Sequence, residues 1–332
     1  MSVRIVVGIA LALVGCGKQQ EAPKQDPGSA VGVAATGDAG TTPPGDARTD
    51  PGEVAAQLDK ACVAGDFEAC RKLGVLYTEG LGVTADARRA AALFAQACNG
   101  GNLAACNHVA LALSEGLGVA ADPAKAVELY TKTCDGGYAL ACRNLGLMLR
   151  DGRGVTKDLD RAETLLGKAC NGGAPYACTN AGDLDKVLAA KQGKPRLKKM
   201  IDRYKQGCEA GEASACRAIG VAYLEGTGLP KSPSAGAVWL ARACDQHEPV
   251  ACRVLGAMTL EGVGVKRDVA RGTEHLRRAC DRKDAEACRV LQAITNAGSG
   301  SGSRTGSDAG SSAGSAAPGA GSGTDAGIER RE

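Results

Sequence analysis

Fourteen cysteines between residues 62 and 288 fall into seven pairs, and the two members of every pair stand eight positions apart. The pairs are Cys62 with Cys70, Cys98 with Cys106, Cys134 with Cys142, Cys170 with Cys178, Cys208 with Cys216, Cys244 with Cys252 and Cys280 with Cys288. Successive pairs start 36 residues apart, except for one step of 38 between Cys170 and Cys208. A chain with such a period does not build one central core. Each short unit buries its apolar face only against its neighbours, which makes a quasi-one-dimensional array.

Other positions keep the same period. A glycine loop recurs as "EGLGV" at 79–83 and 115–119, "DGRGV" at 151–155, "EGTGL" at 225–229 and "EGVGV" at 261–265. Downstream stand Asp86, Asp122, Asp158, Ser232 and Asp268, each opening an apolar-periodic run. Asp and Ser at such a position accept hydrogen bonds from the free amides of a helix start. Pro123 and Pro233 follow two of them, at the first helical position, where a missing donor costs nothing. The glycines before them suit a left-handed helix end. Each unit therefore reads as helix, glycine loop, capped helix and tight turn. The fold class is all-α: an α/α solenoid of about six helix pairs of ~36 residues, spanning residues 53–296.

The apolar positions agree with two packed helices per unit. Four residues after the second cysteine sits a small residue: Gly74, Ala110, Gly146, Gly182, Gly220 and Gly256. Four residues before the first cysteine of a pair sits a bulkier one: Phe94, Tyr130, Leu166, Tyr204, Leu240 and Leu276. The former allow close helix approach and the latter read as core.

Aromatic residues make up only 3% of the chain, so the core is thin and covalent staples matter. A helix–turn–helix of this length returns the two cysteines of a pair alongside each other, and the expected disulfides close within the seven pairs. Spacing alone leaves the alternative of Cys70 with Cys98 open. Closing a loop of about nine residues contributes roughly 2.5 kcal/mol in the chain-entropy model. Thiolates spread one pair per unit along a rod do not cluster as metal ligands do, so neither a metal nor a cofactor is expected. The formal charge of +3, with both signs interspersed, gives no reason to expect a nucleic-acid partner.

The N-terminus sets the compartment. "MSVRIVVGIALALVGC" carries Arg4, an apolar run too short to span a bilayer, and Leu13-Val14-Gly15-Cys16. The last four resemble a bacterial lipobox, which implies a lipoprotein signal at 1–15 and lipid attachment to Cys16. The plain alternative is a secreted protein with a chance cysteine. Residues 16–52 read as a flexible tether and residues 297–332 as a Gly/Ser/Ala-rich tail, since neither buries enough apolar surface to offset its ordering entropy. The chain is thus expected to be exported and lipid-anchored, with the outer membrane favoured and facing the periplasm or the cell surface.

The stretch "ACRKLGVLY" of Ala69–Tyr77, the loop "EGLGV", the cap Asp86 and "AAALFAQA" of Ala90–Ala97 resemble the Sel-one-like repeats, relatives of tetratricopeptide repeats. The cysteine pairs are similar to those of the secreted, cysteine-rich Hcp-like subfamily of bacteria. This resemblance implies a right-handed superhelix with a concave face. It also implies an adaptor that binds an envelope protein or peptide; some cysteine-rich members are weak β-lactamases or penicillin binders. The unit at 179–208 departs from the pattern: it lacks the glycine loop and holds a basic run. Lys194, Arg196, Lys198, Lys199 and Arg203 form a candidate anionic contact there, against the plainer reading of a solvated helix. No Ser-x-x-Lys, Lys-Thr-Gly or Ser-Asp-Asn is present, and His108, His247 and His275 fall in separate units. Glu79, Glu115, Asp151, Glu225 and Glu261 recur at the loop in unit after unit, which reads as a structural role and not as a catalytic pair. No catalytic residue is assigned. Two functions follow: a membrane-tethered interaction scaffold or, on the resemblance alone, a β-lactam or peptidoglycan-precursor enzyme or binder.

Overall fold

The computed structural model describes residues 50–299, and within that span leaves aside the side chains of residues 191, 192, 194 and 297–299. The signal, Cys16 and the bulk of the tether and tail lie outside the described residues. Within them the chain is helical throughout: α1 Pro51–Val63, α2 Phe67–Glu79, α3 Ala87–Asn99, α4 Leu103–Glu115, α5 Pro123–Asp135, α6 Ala139–Asp151 and α7 Leu159–Asn171. The second half continues with α8 Ala177–Gln192, α9 Lys194–Glu209, α10 Ala213–Glu225, α11 Pro233–Asp245, α12 Pro249–Glu261, α13 Val269–Asp281 and α14 Ala285–Ser299. Six helix pairs, from α2/α3 to α12/α13, are flanked by one further helix at each end. In each pair the first, or leading, helix carries the second cysteine of a pair, and the trailing helix carries the first cysteine of the next.

Helix starts follow the side chains that satisfy their free amides. Asp86, Asp122, Asp158, Ser232 and Asp268 each accept a backbone hydrogen bond at the head of a trailing helix. Asp50 does the same for α1, one period before Asp86, so the array begins at Pro51 and not at residue 53. At the other end α14 runs to Ser299, past the expected limit of 296. Leading helices end on Gly80, Gly116, Gly152, Gly226 and Gly262, all left-handed with φ between 71° and 80°.

The second glycine of four of the five loops has a different job. At Gly154 an added Cβ would lie 2.5 Å from the carbonyl group of Pro123, the first residue of the preceding trailing helix. Gly82, Gly118 and Gly264 meet Pro51, Ala87 and Pro233 in the same way. The loop thus seats its backbone against the unit before it, and only glycine leaves room.

The small and bulky positions meet within each pair. A Cβ on Gly74 would lie 2.7 Å from Phe94, one on Gly146 2.9 Å from Leu166, and one on Gly220 2.7 Å from Leu240. Phe94, Tyr130, Leu166, Tyr204, Leu240 and Leu276 are all buried, as core residues.

Seven disulfides join each trailing helix, or α1, to the leading helix that follows, with Cα–Cα distances of 4.5–4.7 Å. Cys62 bonds to Cys70, Cys98 to Cys106, Cys134 to Cys142 and Cys170 to Cys178. In the second half Cys208 bonds to Cys216, Cys244 to Cys252 and Cys280 to Cys288. Each bridge closes within its eight-spaced pair, so Cys70 and Cys98 belong to different disulfides. The open alternative fails because Cys70 starts α2 and Cys98 ends α3, and each lies beside the neighbouring turn instead. That turn takes a left-handed residue, glycine five times, then His247 and Lys283 at φ 69° and 68°. Cations at the ends of trailing helices add links from unit to unit: Lys168 donates to the Cys134 carbonyl at 3.0 Å and Arg278 to that of Cys244 at 2.9 Å. Both sit at a helix C-terminus, where positive charge is favourable.

The fourth pair is irregular. α8 and α9 each have 16 residues, against 13 in the helices of the other pairs, and only Gly193 joins them. α8 starts late, after Pro175 and left-handed Tyr176, with no cap of its own. The next unit supplies one: Glu212 accepts from the amides of Cys178 at 3.2 Å and Thr179 at 2.8 Å. This explains why Glu212 is buried.

Candidate functional site

The leading helices present a stripe at one, five and eight residues after each second cysteine, which helical geometry places on one face. It runs from Arg71, Val75 and Thr78 on α2 to Arg253, Ala257 and Leu260 on α12, where the last two are buried. Much of its polar content is tied from unit to unit. Asn144 donates to Asn107 at 3.0 Å, Arg143 to Asn180 at 2.8 Å, Arg217 to Glu248 at 3.1 Å and Arg253 to Asp284 at 3.0 Å. Near the N-terminus Glu68 accepts from Arg71 and Asn102, both at 2.9 Å, and these partners, Arg71 first, hold its carboxyl below the usual range. The stripe is therefore a pre-set surface: side chains that would otherwise be free to rotate are fixed by the next repeat.

The recurrent loop carboxylates belong partly to the same lattice. Glu115 pairs with Arg153, Asp151 with its neighbour Arg150 at 2.7 Å, and Glu225 with Lys186 at 3.6 Å. Among the described residues Glu79 and Glu261 have no ion pair.

The basic run of the irregular pair is largely engaged. Arg196 reaches Glu163 at 2.6 Å and Asp185 at 2.9 Å, Lys199 reaches Glu163, and Arg203 lies 3.8 Å from Asp185. These acids come from α7 and α8, so the local sequence around the basic run does not reveal them. Asp185 is fully buried, and its Oδ2 has no hydrogen-bond partner. Burial pushes its carboxyl above the usual range despite Arg196. Glu163 is held below it, since the hydrogen bonds from Arg196 and Lys199 outweigh its burial. Lys198 is exposed, and the side chain of Lys194 lies outside the described ones.

The three histidines stay apart. His108, on α4, stacks on Phe94 with ring centroids 4.4 Å apart and planes at 12°. Burial, helped by the charge of Arg71, pushes its imidazole down to about 4. His275 has Nδ1 4.0 Å from the disulfide sulfur of Cys244, and burial lowers it too. His247 is the exposed left-handed turn residue. Among the described residues no group of His, Cys, Asp and Glu could hold a metal ion, and no helix is long and apolar enough to cross a membrane.

One concavity on the leading-helix face is apolar. A cavity of about 220 Å³ has its floor on α3, at Ala87, Ala90, Ala91 and Phe94. Its walls are Val75 and Thr78 of α2 and His108, Leu111 and Ala112 of α4, with Glu79 and Leu117 completing it. A smaller one, about 100 Å³, lies at Ala222 of α10 and is lined mostly by polar groups, including Asp183, Lys186 and Arg217. The sequence signal for both was available. Six residues after the second cysteine the leading helices carry Leu76, Ala112, Met148, Leu184, Ala222 and Met258. The two alanines mark the two cavities.

A stack of helix pairs, stapled by disulfides and presenting a fixed polar stripe, is an α-solenoid of the repeat-scaffold class. Seven disulfides require an oxidising compartment outside the cytosol. The Sel1 repeat model matches residues 67–102, 103–138, 139–173, 213–247 and 249–284, more than half of the chain, and the protein belongs to the Sel1 repeat family. The unmatched gap is the irregular fourth pair. Solenoids of this kind are typical interaction scaffolds.

Among solved structures, the chain is similar to c5321, a protective antigen present in uropathogenic Escherichia coli strains that displays an SLR fold. The two share 25% identity over 75% of this chain and 53% of the antigen, with a TM-score of 0.63. The chain thus spans about half that antigen's length. A Sel1 repeat protein from Oxalobacter formigenes aligns at 21% identity over 70% of this chain and 97% of its own, with a TM-score of 0.57. Helicobacter pylori cysteine rich protein B aligns at 24% identity over 41% of this chain and 96% of its own, with a TM-score of 0.34. No curated protein matches the chain.

Proposed function

We propose that the protein is a lipid-tethered interaction scaffold of the cell envelope, which holds a protein or peptide partner against the leading-helix face. The observation that carries this reading is the lattice of inter-unit hydrogen bonds on that face, which pre-orders Asn144, Arg143, Arg217 and Arg253 before any partner arrives. Pre-ordering lowers the entropic cost of binding. The disulfides keep neighbouring units in register while lipid on Cys16 ties the chain to the membrane. Within the basic run, Arg196, Lys199 and Arg203 serve the fold, and the exposed Lys198 is left to meet an anionic partner.

Photo-crosslinking residues placed in intact cells test the face. Val75, Leu147 and Val221 occupy the stripe, whereas Val238 is 69% exposed on trailing helix α11. Crosslinks to one or a few envelope proteins are expected from the first three and not from Val238. Equal labelling from both faces, or none from the stripe, overturns the proposal. Cys16→Ala tests the tether separately: it is expected to release the protein from the membrane fraction.

A further inference from the structure

The apolar cavity of the second unit breaks the repeat in one respect. Its wall position is Ala112, while the third and sixth units place Met148 and Met258 there, both buried. The fold accepts a large side chain at this place twice over, and here leaves the space open. The cavity, about 220 Å³, exceeds the volume of one leucine-sized side chain. Among the described residues Glu79, at its edge, is an exposed carboxylate with no ion pair; its counterparts Glu115, Asp151 and Glu225 are paired, and Glu261 is not. Leu117, 48% exposed, adds apolar surface beside it.

Resting on the scaffold reading, we infer that this cavity is an anchor pocket for a partner segment that presents a leucine-sized apolar side chain next to a lysine or arginine. The apolar group enters between Val75, Leu111 and Ala112 and rests on the Phe94–His108 stack. The cation meets Glu79. An apolar anchor in a pocket gives most of the affinity of such contacts, and a rim charge chooses among anchors.

The test uses the oxidised protein and four blocked tetrapeptides: Gly-Leu-Lys-Gly, Gly-Leu-Glu-Gly, Gly-Ser-Lys-Gly and Gly-Ser-Glu-Gly. Binding is followed by NMR at the His108 ring. The leucine–lysine peptide is expected to saturate with a Kd near ~1 mM, as suits one buried side chain and one exposed charge pair. The serine peptides are expected to be at least about tenfold weaker. Ala112→Met fills the pocket with the side chain that Met148 and Met258 show the fold to accept. It is expected to keep or raise the melting temperature and to abolish leucine-dependent binding. Glu79→Gln is expected to keep leucine binding and lose the preference for lysine over glutamate. Leucine-dependent binding that survives in a folded Ala112→Met protein, or no leucine dependence in the wild type, overturns the pocket. Crosslinks from Leu147 and Val221 that persist in Ala112→Met cells would then leave the scaffold reading standing, while their absence in the wild type overturns that reading itself.

Discussion

Lowering the pH to about 4 should remove roughly 3 kcal/mol of stability through His108 alone. In the unfolded chain this imidazole has the ordinary value of 6.5, and in the folded protein burial and Arg71 push it down to about 4. Each pH unit of difference is worth ~1.4 kcal/mol, and the gap of about 2.5 sets a limit of ~3.5 kcal/mol, of which ~3 is lost by pH 4, where the folded imidazole is half protonated. The sign follows from proton binding. Above pH 6.5 neither state holds the proton, and the contribution is fully present. Between 6.5 and about 4 the unfolded chain takes it up and the folded one does not, so stability falls by up to ~1.4 kcal/mol per pH unit. Below 4 both states are protonated and this loss stops. Urea unfolding from pH 7 to pH 4 measures the slope, and His108→Asn supplies the control. Asparagine stands at the equivalent positions 144 and 180, so the variant suits the fold and removes the titration. The difference between the two pH profiles isolates His108 from the carboxylates, which titrate in both proteins. Identical profiles, or a folded-state NMR titration of His108 near 6.5, would refute the reasoning.

Gly154→Ala should cost well beyond the ~1–2 kcal/mol of left-handed backbone alone, because its Cβ would meet Pro123 at 2.5 Å. Gly137→Ala, at φ 95° with nothing within 4 Å, should cost only that backbone amount; equal losses in urea unfolding would refute the role given to the second loop glycine. Strong reductant should lower the melting transition substantially, each of the seven closed loops contributing roughly 2.5 kcal/mol; an unchanged transition would count against structural disulfides. Arg196→Met should destabilise by ~3–5 kcal/mol, because it leaves fully buried Asp185 without its main partner. Combining Arg196→Met with Asp185→Leu should recover most of that loss, and a double variant as unstable as the single one would refute the pairing.

The repeat, its helices and its caps were legible because they are local. A helix start needs one side chain two or three residues from the amides it satisfies, so Asp86, Asp122, Asp158, Ser232 and Asp268 announce themselves. The same period, carried back one step, also marks Asp50. Disulfides between residues eight apart follow from a short turn. Even the two cavities are written as alanines at 112 and 222, once the position is known to face a gap.

What the tertiary structure decided lies between units, where sequence distance gives no cue. The basic run at 194–203 reads as free cations, yet Glu163 and Asp185 fold onto it from two other helices. Glu212 is the cap of a helix that begins 35 positions earlier, a link that no local pattern announces. The second loop glycine reads in sequence as part of a left-handed helix end and is, in four loops, the place where one unit's backbone meets the next. The sequence by itself determined that the chain is a stapled array of helix pairs, because propensity, capping and cysteine spacing act over a few residues. Which side chains are tied in the lattice, and which, like Glu79 and Glu261, have no ion pair among the described residues, depends on how neighbouring units stack, and that geometry exists only in the folded molecule.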